Sequence, residues 1–162
     1  MTSGSNVYDT MTQIASIQRG ITDPITGRAL VAYGNVPYTI SAADMPLFVN
    51  IVGALTRNVL AGSDSRAREF NETRLYQMTL YGGAYGTGVE GEMLAKLTPY
   101  FSLVYYRFGL YPHLNKLSGI LDAKIVTDTG TTVVGFAGNQ YFGIRFNLQV
   151  ISKIRRPLGE DE

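Results

Sequence analysis

From Ser5 to about Arg19, apolar residues fall at Val7, Met11, Ile14 and Ala15, with Ile17 beside them. This three-to-four spacing predicts a short amphipathic helix, and Ser5 or Asn6 stands where a side-chain oxygen can accept from its free first-turn amides. Gly20, Asp23-Pro24 and Thr26-Gly27 then turn the chain. Residues 29–33 and 37–40 read as two short extended pieces. Pro46 pushes Met45 toward an extended backbone, and residues 47–55 (LFVNIVGAL) run apolar on both faces. A strand of that kind is covered on both sides, by helices or by a neighbouring subunit. Residues 56–70, TRNVLAGSDSRAREF, are polar and longer than the usual hairpin connection, which predicts a functional or disordered loop. Residues 71–81 then alternate, with Arg74, Tyr76, Met78 and Leu80 on one face and Thr73, Leu75, Gln77, Thr79 and Tyr81 on the other. Mixed polarity at a period of two predicts an antiparallel strand.

After a glycine cluster, Val89, Met93, Leu97, Phe101, Val104 and Phe108 recur at helical steps. They define a long helix over 89–109, which Pro99 is expected to kink or divide. Tyr100, Leu103, Tyr106 and Leu110 lie off this stripe. The helix therefore has more apolar surface than one small sheet covers, and a second copy of the chain is the economical cover. Residues 120–127 read as a strand, Asp128-Thr129-Gly130 as a turn, and a further strand starts at Thr131, interrupted by Gly135, Gly138 and Asn139. In the last strand Phe142, Ile144, Phe146, Leu148 and Val150 point one way, while Gly143, Arg145, Asn147 and Gln149 point the other. The fold class expected is α+β: one domain over 1–152, with a mostly antiparallel or mixed sheet packed against the N-terminal helix and the long central helix. A polar tail at 153–162 follows.

Composition narrows the chemistry. A chain of 162 residues with 45% hydrophobic and 17% charged residues suits one folded domain with a real core. A net charge of +1 gives no electrostatic reason to bind nucleic acid or an anionic membrane. No apolar run approaches the ~20 residues of a membrane span, and the start MTSGSNVYDT lacks the basic-then-apolar build of a signal peptide. With no cysteine there is no disulfide, thiolate metal site or cysteine nucleophile, and His113 is the only histidine. His113 falls in a loop without a nucleophile-elbow sequence, so it reads as a surface or packing residue.

One motif demands a test. Gly86-Thr87-Gly88-Val89-Glu90-Gly91 spells G-x-G-x-x-G between a strand-like and a helix-like run. A dinucleotide site also needs a buried parallel strand before the glycines and a carboxylate about 20 residues on. The preceding strand is instead mixed in polarity, and residues 106–111 (YRFGLY) carry no carboxylate. Glu90 and Glu92 suit the helix dipole but repel a pyrophosphate. No Walker-type loop is present, and the repeated β-α-β-α rhythm is missing. The expectation is a strand-to-helix connection, with no cofactor, no metal and no enzymatic role. Arg57, Arg66 and Arg68 in the long loop, with Tyr85, Tyr100 and Tyr106 around the glycine cluster and helix, are the candidate subunit or partner interface residues.

The order of elements resembles that of the tail terminator proteins of long-tailed phages. The stretch 41–54, SAADMPLFVNIVGA, looks like the family's acidic-x-Pro entry into a central apolar strand ending in a small-residue pair. The alternating strand at 72–81, the long helix at 89–109 and the last alternating strand follow in the family's order, over residues 6–152. The resemblance implies an α+β fold and a ring, hexameric in the family, on the head-proximal end of the tail tube. There it would stop tube polymerisation and join the head-side connector, with DNA passing through the lumen without specific binding. The implied partners are therefore further copies of the chain, the tail tube protein and a head-completion or connector protein, with no membrane. The implied location is the virion, after assembly in host cytoplasm. The family carries no catalytic residues. A head-completion or other neck protein is the neighbouring reading, and a dinucleotide-binding enzyme using Gly86–Gly91 is the third.

Overall fold

The structure is a computed structural model that describes residues 6–59 and 69–155. Helix α1 spans Val7–Gln18, and the Asn6 side chain caps it by accepting from Asp9 N at 2.7 Å. Strand β1 is only Val31–Tyr33, β2 is Leu47–Val59 and β3 is Glu69–Ala84. Helix α2 covers Glu90–Gly109, β4 Ile120–Phe136 and β5 Asn139–Arg155. The strands form one sheet in the order β1-β2-β3-β5-β4. Only β1–β2 is parallel, and the other three pairs are antiparallel. The expected α+β class with a mixed sheet and two helices is what the chain adopts.

Both helices lie on one face of the sheet, because the faces meeting them are apolar at the right period. Tyr76, Met78 and Leu80 of β3 and Phe142, Ile144, Phe146, Leu148 and Val150 of β5 point into this core. Ile14, Ala15 and Ile17 of α1 and Leu97, Tyr100, Val104 and Phe108 of α2 cover them. A smaller cluster on the opposite face joins Met45, Leu47, Val49, Tyr81, Val134 and Tyr141. Tyr81 sets its ring edge-to-face on Phe136 and Tyr141, at 6.0 and 5.5 Å between centroids, a favoured aromatic geometry. Its hydroxyl donates to Gly135 O at 3.1 Å. This second cluster covers only the β1 end of the open face.

Several boundaries depart from expectation. Residues 37–40 form no strand, and the crossover from β1 to β2 instead contains a 3₁₀ turn at Ala42–Asp44 capped by Ser41. Met45 before Pro46 is extended, as proline demands. The expected loop at 56–70 shrinks from both ends, because Thr56–Val59 and Glu69–Phe70 are paired strand. Pro99 does not divide α2, which runs unbroken through it. The helix goes without the Pro99 amide donor, and Thr98 Oγ1 donates to Leu94 O at 2.7 Å one turn back.

Asp128-Thr129-Gly130 is not a turn between strands but an irregularity inside continuous β4. The Asp128 side chain accepts from Gly130 N at 2.8 Å, while Thr129 Oγ1 accepts from Arg145 N at 3.1 Å. The extra residue is thus absorbed as a bulge without breaking the pairing. The true turn comes at Ala137-Gly138, both at positive φ (50° and 84°), as the tightest hairpins require. The tail begins later than expected, since Lys153–Arg155 still pair with Glu69–Asn71.

Candidate assembly surface

Of the residues expected at an interface, Arg57 stands on β2 and is tied inside its own ribbon. Its Nε donates to Glu72 Oε1 at 3.0 Å, a second guanidinium nitrogen reaches the same oxygen, and the group lies 4.5 Å over the Phe70 ring. Arg66 and Arg68 lie outside the described residues. Tyr85 follows the end of β3, is 43% exposed and leans on Phe142 at 5.2 Å between centroids. It lines a shallow cleft with Ala42, Asn139 and Tyr141. Tyr106 stands 69% exposed on α2.

Tyr100 is a correction: it is completely buried and cannot offer a surface. The Asp23 turn and the sheet cover the part of α2 that the sequence stripe left outside. The Tyr100 hydroxyl has no hydrogen bond of regular geometry, but it faces the Asp23 carboxylate. Burial and that charge push its ionisation well above the ordinary phenol range. Burial raises Asp23 in turn. Donation from Ile25 N and Thr26 Oγ1, both at 3.0 Å, with the Tyr100 hydroxyl and the Lys96 charge, outweighs it and holds the carboxyl below its usual value. This pair pins the 23–28 turn to α2. Elsewhere on the same helix, Tyr105 sets its ring edge-on to Phe146 and donates to Asp128 Oδ2 at 2.8 Å, and desolvation together with this bond lifts its phenol to about 12.

The structure does not bring the candidates together. Arg57 sits opposite Glu72 and Tyr85 just beyond Ala84, so about 40 Å of strand separates them at the usual rise per residue.

The glycine cluster serves packing. β3 pairs antiparallel with both neighbours, whereas a dinucleotide-binding turn follows a parallel strand. A Cβ on Gly82 would stand 2.7 Å from Leu97 Cδ2, and one on Gly83 2.6 Å from Met93 Cε, so these glycines let α2 lie against the end of β3. Gly88 takes φ 88° to turn the chain. No side chain caps α2: Val89 occupies the cap position without a side-chain hydrogen bond, leaving Glu90 and Glu92 to complement the dipole. His113 lies in the connection after α2, followed by Leu114, Asn115 and Lys116 at positive φ. Among the described residues no group of three or more metal-ligating side chains converges, and no helix is long and apolar enough to cross a membrane.

What the candidate residues missed is an apolar surface on β2 and β3. Ile51, Val52, Leu55 and Leu75 are between 36% and 42% exposed, although β2 continues directly from the fully buried Leu47, Phe48 and Val49 and β3 runs on into the buried Tyr76 and Met78. The registers place Val52 and Leu55 on the helix side, level with Tyr76 and Arg74, and Ile51 on the open side, level with Gln77. The double-faced apolar run at 47–55 was the available signal. No protein-family model matches the chain, and no curated protein matches it either.

Proposed function

We propose that the chain is a ring-forming tail terminator of a long-tailed phage, a non-enzymatic virion protein. In this reading copies of the chain close a ring on the head-proximal end of the tail tube. The ring stops tube growth and offers its other side to the head connector, and DNA passes through its lumen. The observation that carries the reading is the half-exposed apolar stretch Ile51, Val52 and Leu55, with Leu75 beside it. A single copy leaves it facing water on both sides of the ribbon, and contiguous apolar surface of this kind marks an interaction site. The order of elements along an α+β chain supports it further.

Electron microscopy of the purified protein, alone and mixed with polymerising tubes of its own phage, tests this. Rings and tubes of regulated length, capped at one end, are the expected result. A protein that stays monomeric in both samples while tubes grow unchecked refutes it.

A further inference from the structure

Strand β1 covers β2 only where Val31–Tyr33 lie opposite Leu47–Val49. From Asn50 to Val59 the outer side of β2 has no partner strand among the described residues. The other terminal strand, β4, is likewise bare along its outer side. Unpaired N–H and C=O groups on such an edge are a template for another strand.

The two edges match one another. Three antiparallel pairings separate β2 from β4, so the two strands run in opposite directions. A copy set beside the first by rotation about an axis along the strands brings its β4 antiparallel to β2. Heights agree as well. Through Tyr76 and Leu148, Val52 is level with Ile125; through Arg74 and Val150, Leu55 is level with Ala123. The β2 rows that β1 occupies, at Leu47 and Phe48, are level with Thr132 and Thr131, past the bulge where β4 changes course. β1 therefore stands clear of the part of β4 that would pair. The side chains are complementary too. Half-exposed Val52 and Leu55 face a strand presenting half-exposed Leu121 and Val126. Arg57, the one charged residue of the bare β2 segment, is level with Ile120 and one row from Asp122.

We infer that the ring closes by sheet continuation: the β2 edge over residues 50–57 of one copy takes the β4 edge over residues 120–127 of the next. This rests on the ring reading above and adds its joint. Joining unlike edges is heterologous, so the contact repeats until it closes, whereas joining β2 to β2 would stop at a two-fold dimer. Bulges at Gly53-Ala54, Leu121 and Val126 divide both edges, so the backbone ladder is short and apolar side chains share the contact.

The absence of native cysteine gives a clean test. A Val52→Cys/Ile125→Cys double variant, and independently Leu55→Cys/Ala123→Cys, both pairs level across the joint, is assembled, checked for rings by electron microscopy and oxidised. The expected result is a shift from the monomer band to a ladder ending at the ring size on a non-reducing denaturing gel, with each single variant staying monomeric there. Rings that form without a ladder from either pair overturn the joint and leave the ring standing. Self-cross-linking of Val52→Cys alone overturns it in favour of like-edge pairing. Failure of the unmodified protein to form rings removes both the joint and the terminator reading.

Discussion

The β2–β3 ribbon has two halves with the same apolar character and opposite fates. Near β1, Leu47, Phe48 and Val49 are fully buried, with helices on one side and the Tyr81–Tyr141 cluster on the other. A few residues along, Ile51, Val52 and Leu55 carry comparable side chains and face water. Pairing with β3 continues through both halves, so that ladder does not distinguish them, although β1 adds a second partner in the covered half alone. What differs is cover. Burial is decided by what the rest of the chain lays over a strand, and here both helices and the second cluster stop short. An apolar residue past that limit contributes little to the stability of one copy and much to association.

This contrast can be broken in graded steps. Phe48→Ala, in the covered half, is expected to cost about 3–5 kcal/mol, because it leaves a cavity between the helices and the sheet. Urea unfolding followed by circular dichroism reads this, and a loss below about 1 kcal/mol would show that the covered half is not tightly packed. Asn50 marks the transition. It exchanges two hydrogen bonds with Gln18 across α1, at 2.7 and 2.8 Å, and donates to Tyr33 O at 3.1 Å. Asn50→Ala leaves the buried Gln18 amide unpaired and is expected to cost about 1–3 kcal/mol in the same assay. Gln18→Leu/Asn50→Leu should recover much of that, since removing both partners strands neither; no recovery would mean that the pair does more than satisfy itself. The smallest stability effect belongs to the uncovered half: Leu55→Ser is expected to change unfolding by less than about 1 kcal/mol. It should nevertheless shift sedimentation from ring to monomer, and a fully assembled Leu55→Ser ring would locate the interface elsewhere.

Legibility in the sequence followed the same division. The alternating residues of β5, the even positions of β3 and the extent of α2 were all readable, because a period of two or near 3.6 is a local property of the chain. The Asn6 cap was readable for the same reason. Tyr100 was misplaced because the 3.6 stripe identifies one buried face, while α2 is covered from a second direction by the Asp23 turn. Asn50 passed as one polar letter in an apolar run, since nothing near it announces a Gln18 more than thirty residues away.

The sequence by itself therefore determined the two helices, the inward face of each alternating strand, and the failure of the glycine motif to find its carboxylate. Local sterics and periodicity suffice for these. Only the tertiary structure decided that Asp128-Thr129-Gly130 is a bulge instead of a turn, because β5 runs unbroken opposite and holds it with Arg145 N. Only the tertiary structure also decided where the apolar run of β2 loses its cover, since that depends on where helices placed far away in the chain come to an end.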